Sequence, residues 1–290
     1  MKSQIDARER LLADLPVEER RLQLAGIPTV LHEGGGGSPV VLLHGPGGSG
    51  LHWMRVIPGL VGTHRVVVPD LPGQGASGVG NAPLTAERVS AWLGELIAAT
   101  CPTPPALVGY AWGAAIGARF AADQGRRLSR LVMVDALGLS DFAPAPEFAR
   151  ALHDFVAQPA EDSHDRLWRR CTFDLDQVLR RMGPRWEAFE AYNLDRARDP
   201  ETMEALGILM DIFAIPASPA SDLGRIAVPT ALIWGRHDIA TPIRVAESAS
   251  ARYDWPLQVI EEAGGDPPME EPERFLRVLR AVLGRDAVQH

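Results

Sequence analysis

Short runs of Val, Ile and Leu recur along the chain, and most end in Gly, Pro or Asp before a longer stretch of helical period begins. That alternation is the mark of βαβ units and predicts a parallel sheet with helices on its faces. The runs place strands at Arg21 to Ala25, Thr29 to Glu33, Pro39 to His44, Arg65 to Asp70, Ala106 to Tyr110, Arg130 to Asp135, Thr230 to Trp234 and Gln258 to Glu262. Val40 to Leu43, Val66 to Val68 and Leu131 to Val134 are apolar at every position, as strands buried on both faces should be. The first two runs are separated only by Gly26, Ile27 and Pro28 and predict an antiparallel hairpin at the sheet edge. From Ala136 to about Asp222 the pattern changes to amphipathic helices carrying Trp168, Trp186, Met203 and Met210, with no strand signal. Core segments over 1–135 and 223–290, with a helical cap inserted over 136–222, are therefore expected.

At 290 residues, 46% hydrophobic and 23% charged, the chain is long enough for one large α/β core and has ordinary globular proportions. No run of 18 or more apolar residues offers a membrane span. Met1 to Arg20 lacks the basic flank and apolar core of a secretion signal, so a cytoplasmic location is expected. A net charge of −8 disfavours nucleic acid and anionic membrane surfaces as partners. Cys101 and Cys171 lack a CxxC spacing or a nearby histidine pair and read as ordinary thiols. No metal-ligand pattern, P-loop or dinucleotide fingerprint is present, so no metal and no cofactor is indicated.

Five landmarks carry chemistry. His44-Gly45-Pro46-Gly47-Gly48 follows one strand, Asp70-Leu71-Pro72-Gly73-Gln74-Gly75 follows another, and Gly109-Tyr110-Ala111-Trp112-Gly113 joins a strand to a helix. Trp234-Gly235-Arg236-His237-Asp238 ends a later strand, and Gly264-Gly265-Asp266-Pro267-Pro268-Met269-Glu270-Glu271-Pro272 precedes the last helical stretch. In this order, over roughly residues 20 to 285, the chain resembles the α/β-hydrolase superfamily. The resemblance implies an α/β-hydrolase fold: a mostly parallel eight-stranded sheet flanked by helices, with an inserted helical cap. It also implies a strained turn after the fifth strand that raises a nucleophile above the sheet, an acid at Asp238 and a histidine in the last loop. The chain departs from that pattern twice. Ala111 stands at the nucleophile position, and Pro267, Glu270 and Pro272 align the histidine position with Gly265. A methyl group cannot attack, and Asp238 has no histidine to orient. In a serine protease, loss of nucleophile and base lowers turnover by roughly 10⁶, so hydrolysis through an acyl-enzyme is not expected.

The oxyanion hole is a backbone device and survives such losses. The resemblance puts it at the amide of Trp112 together with Gly45 or Gly47, since Pro46 has no N–H. Acid–base candidates are His44, His52, Asp238 and Asp266, with His153 or His164 from the cap. For each a plainer role competes: His44 as a structural hydrogen-bonder, His52 as a helix-start residue, Asp266 as a solvated turn former beside Pro267. Trp112, Trp168, Trp186 and His153 are the expected lining of a pocket for a small apolar or aromatic ligand, with Phe173 a further aromatic near it. Three readings follow: an atypical lyase, isomerase or cyclase that uses the oxyanion hole under a cap; a catalytically silent binding or sensor protein; and an inactivated relative of an esterase or C–C bond hydrolase. The sequence does not decide the oligomeric state.

Overall fold

The computed structural model describes residues 4–284. All eight expected runs are strands: β1 (Glu18–Leu24), β2 (Ile27–Gly34), β3 (Ser38–Leu43), β4 (His64–Pro69), β5 (Ala106–Tyr110), β6 (Arg130–Val134), β7 (Thr230–Gly235) and β8 (Leu257–Ile260). They form one sheet in the order β1-β2-β4-β3-β5-β6-β7-β8. β1 and β2 make the edge hairpin, β2 runs antiparallel to β4, and every pairing from β4 onward is parallel. β1 begins at Glu18, three residues before the expected start, because its first four residues, Glu18 to Arg21, pair at the sheet edge while their charged side chains stay exposed.

Period-two alternation divides the strand residues between two apolar layers. Val41, Leu43, Leu107, Leu131, Met133 and Trp234 face one, against α2 (Ala86–Thr100) and α3 (Trp112–Gln124). Val40, Leu42, Val108, Val132, Val134 and Ile233 face the other, which includes Trp53 and Phe275. Each such fully buried side chain contributes about 1.5–3 kcal/mol relative to exposure.

Between β6 and β7 come α4 (Pro146–Ala157), α5 (Glu161–Cys171), α6 (Leu175–Met182), α7 (Pro184–Ala197) and α8 (Pro200–Phe213), with no strand among them. The polypeptide then returns through a short turn at Ala220–Leu223 into β7, followed by α9 (Ile243–Tyr253), β8, the four-residue α10 (Pro267–Glu270) and α11 (Pro272–Leu283). The first helix, Gln4–Leu12, buries Leu11 and holds α7 to the core: Arg10 donates to the Pro184 carbonyl, and Asp14, just beyond it, pairs with Arg185 at 2.8 Å. Among the described residues no helix is long and apolar enough to cross a membrane.

Candidate active site

The turn between β5 and α3 sets the position of the site. Ala111 has φ +49° and ψ −114°, a region that non-glycine residues occupy only under strain, at about 1–3 kcal/mol. Packing enforces it: a Cβ on Gly109 would meet the Ala114 nitrogen at 2.4 Å, and one on Gly113 would meet the Leu43 carbonyl oxygen at 2.6 Å. The helix therefore starts tight against the sheet. Its first residue, Trp112, has no intrahelical acceptor for its N–H.

Above the turn lies a cavity of about 260 Å³. Its floor is Gly45, Gly47, Tyr110 and Ala111, the side formed by α4, α5, α7 and α8 includes Phe148, Leu167, Trp168, Phe189 and Leu206, and one wall holds Asp135, Asp238, Gly265 and Asp266. Of the expected lining, Trp168 is present and three residues are not. The Trp112 ring is fully buried in the layer below the sheet, so only its backbone faces the turn. Trp186 packs edge-on behind Trp168 at 5.3 Å. His153 is 81% exposed on α4 beside Asp154, with its side chain away from the cavity. Phe173 is also outside, stacked on His237 at 4.4 Å. His164, the other cap histidine, does reach the cavity, where burial pushes its pKa down to about 4.

His44 is excluded as a base by its own bonds. Nδ1 donates to the Gly45 carbonyl at 2.8 Å, Nε2 accepts the Leu71 amide at 3.0 Å, and burial holds the ring neutral with a pKa of about 4. Asp238 follows β7 and is 5% exposed. Oδ1 accepts the amides of Ala240 at 2.7 Å and Thr241 at 3.1 Å, and Oδ2 accepts the Thr241 hydroxyl at 2.6 Å. Burial raises its pKa to about 6 against the lowering effect of those bonds. A Cβ built on Gly265 would lie 2.9 Å from Asp238 Oδ1. The position that the motif aligns with a histidine therefore stands beside the acid in space, with the carboxylate occupying the room a side chain would need.

Asp266 is 1% exposed, which corrects the expectation of a solvated loop acid. It caps α10 by accepting the Met269 amide at 3.2 Å, and it receives His52 Nε2 at 3.0 Å on Oδ2 and 3.1 Å on Oδ1. His52 sits in a 3₁₀ turn over Gly50–Arg55 and lines the cavity. His32, on β2, is buried too, next to Arg8.

Tyr110, the last residue of β5, lines the cavity: its ring stacks on His52 at 5.0 Å, and its hydroxyl donates to the Gly265 carbonyl at 2.6 Å. Burial raises the phenol well above its usual pKa, so it stays protonated. Two more buried carboxyls stand here, Glu270 behind the wall and Asp135 in it. Glu270 accepts the amides of Phe173, Gly264 and Asp266, and burial raises its pKa to about 8. Asp135, at φ +41°, accepts the Gly235 amide on Oδ1, and burial raises its pKa well above the carboxylate range. Its place directly after an apolar strand was the available signal for it. Cys101 and Cys171 are free thiols, and burial pushes Cys171 up. Among the described residues no group of three or more His, Cys, Asp or Glu is arranged to hold a metal ion.

The model of the "Alpha/beta hydrolase family" matches residues 40–278. The chain belongs to the alpha/beta hydrolase family. Within this family it is 27% identical over 271 residues to a pimeloyl-[acyl-carrier protein] methyl ester esterase of Aeromonas hydrophila subsp. hydrophila, covering 86% of this chain and 97% of that one. It is 28% identical over 260 residues to a 2-hydroxy-6-oxo-6-phenylhexa-2,4-dienoate hydrolase of Comamonas testosteroni, covering 85% and 88%. A crystal structure of a membrane phospholipase A, described as a bacterial virulence factor, superposes with a TM-score of 0.82 over 99% of this chain and 92% of that chain at 22% identity, a likeness of fold. The alpha/beta hydrolase fold thus carries here a turn that keeps its strained shape around a side chain unable to attack.

Proposed function

We propose that the protein is an atypical alpha/beta hydrolase that acts without a covalent acyl-enzyme on a small apolar or aromatic carbonyl compound, as a lyase, isomerase or cyclase. The observation that carries this reading is the strained turn at Ala111, kept under an apolar cap although its side chain is a methyl group. Strain of this kind persists where its surroundings over-determine it, characteristically at functional sites. Besides a nucleophile, such a turn can offer the amide of its first helical residue, Trp112, which with Gly45 or Gly47 would bind an oxygen above Ala111. Such donors stabilise an enolate as well as a tetrahedral oxyanion, and each is worth about 10²–10³ in turnover. One relative is named for a phenyl-bearing oxo acid, which agrees with an aromatic carbonyl ligand in this cavity.

The test has two arms. Purified protein is expected to give no turnover of p-nitrophenyl acetate above buffer and no labelling by a fluorophosphonate, while a panel of aryl ketones yields saturable conversion. Ester turnover with fluorophosphonate labelling would overturn the reading in favour of a conventional hydrolase. Saturable binding of the ketones with none transformed would overturn it in favour of a silent binding protein.

A further inference from the structure

We propose that His52 and Asp266 form the proton-transfer pair of this cavity, replacing the missing histidine from a different part of the chain. The proposal rests on the carbonyl-chemistry reading above and names the base that reading requires. Its warrant is geometric. The Asp266 carboxylate holds Nε2 of His52 with both oxygens within 3.1 Å, so Nε2 keeps its proton and Nδ1 becomes the basic nitrogen. Nδ1 has no hydrogen-bond partner among the described residues and is not sealed from the cavity that His52 lines.

The ring is also held on one face. Tyr110 stacks on it at 11° between planes, and Tyr110 is itself anchored to the Gly265 carbonyl. Asp266 is fixed in turn, because its own amide donates to Glu270 and its carboxylate caps α10. A base oriented by a buried carboxylate is the arrangement a triad uses. Here it approaches from the 3₁₀ turn after the His44 loop rather than from position 265. The other histidines of the cavity region are held differently: His44 has both nitrogens committed, and His164 has Asn193 at 3.3 Å on Nε2 and the partly exposed Glu190 carboxylate 3.2 Å from Nδ1 but outside hydrogen-bond geometry, where His52 has a fully buried carboxylate bonded to it.

The step balances without a co-reactant. A C–H bond next to the substrate carbonyl breaks and its proton passes to His52 Nδ1. The electron pair becomes the C=C bond of an enolate, whose oxygen faces the Trp112 amide. The imidazolium is stabilised by Asp266 and later returns the proton to carbon. The plainer alternative is an ion pair that only ties the Gly50–Arg55 turn to α10.

Phenylacetone in D₂O separates the two, with deuterium entry at its benzylic carbon followed by NMR and its binding followed by tryptophan fluorescence. Wild-type protein is expected to accelerate exchange over buffer. His52→Gln is expected to bind phenylacetone as wild type does but to exchange at least about 100-fold more slowly, the usual worth of a positioned base. Asp266→Asn, which keeps an acceptor for the Met269 amide and so preserves the cap, should slow exchange without loss of binding. Added imidazole should restore part of the rate to His52→Gly. Exchange at the wild-type rate in His52→Gln and Asp266→Asn overturns the pair and leaves the carbonyl reading standing. Phenylacetone bound by wild type without exchange above buffer overturns both.

Discussion

A methyl group at position 265 would come within 2.9 Å of Asp238 Oδ1, closer than Cβ atoms approach their neighbours. The carboxylate cannot simply swing away, because three donors from Ala240 and Thr241 hold it. Gly265→Ala is therefore expected to destabilise the protein by about 1–3 kcal/mol, the range for overpacking a filled site, measured by urea unfolding. No change in midpoint would show that the Asp238 turn yields easily. The same clash bears on restoring hydrolysis. Ala111→Ser with Gly265→His supplies the missing groups, yet the new imidazole must displace Asp238 or break the Tyr110 bond to the Gly265 carbonyl. At this scale Ala111 and Gly265 could be singled out in the sequence because flanking glycines and prolines fix the register of their loops. The His52–Asp266 pair was not. Its members lie 214 residues apart, and neither carries a local signal that it will meet the other. The place of Tyr110 was not legible for a related reason: strand periodicity ends where the strained turn begins, so alternation no longer says which way its ring points.

At the scale of elements, the contact that holds the site in shape is between β3 and the start of α3. Gly113 lies where a Cβ would touch the carbonyl oxygens of Leu43 at 2.6 Å and His44 at 2.7 Å. Gly113→Ala would have to push helix from strand, since backbone and not a flexible side chain is in the way. A loss of about 2 kcal/mol or more is expected, together with weakened ketone binding as the Trp112 amide moves. Thermal unfolding and the phenylacetone titration check the two parts, and a variant with wild-type stability would show that this packing is loose. The strands themselves were readable because runs buried on both faces are continuously apolar, as in Val40 to Leu43. β1 was read short because its first residues pair at an exposed edge, where backbone hydrogen bonds and not burial define the strand. The helices over 146–213 were legible as amphipathic segments, but which of their aromatic residues reach the cavity depends on how they cross. Trp168 lies in front of Trp186 only through that tertiary arrangement.

At the scale of the whole molecule, buried titratable groups of opposite sign share the interior, and their linkage to folding gives a definite pH profile. His44 and His164 have pKa values lowered from 6.5 to about 4 by burial. The unfolded chain binds more protons at these sites between those limits, so their contribution raises stability with pH up to about 6.5. Asp238, raised from 3.8 to about 6, and Glu270, raised from 4.5 to about 8, act in the opposite sense. For them the folded state holds the proton more tightly, so their stabilisation is complete below the unfolded pKa and is lost as pH rises through the folded one. Below about pH 6.5 the two pairs oppose each other and the profile is shallow. Between about 6.5 and 8 the histidines and Asp238 have finished titrating and Glu270 continues, with Asp135 shifted in the same direction. The melting temperature is therefore expected to be highest near pH 6.5 and to fall towards pH 8. Glu270→Gln should lower it overall, since the Phe173 or Gly264 amide loses an acceptor, but should flatten the decline above pH 6.5. A wild-type melting temperature that rises from pH 6.5 to 8 would mean that the three amides keep Glu270 ionised against its burial, so that one more negative charge lies beside Asp266.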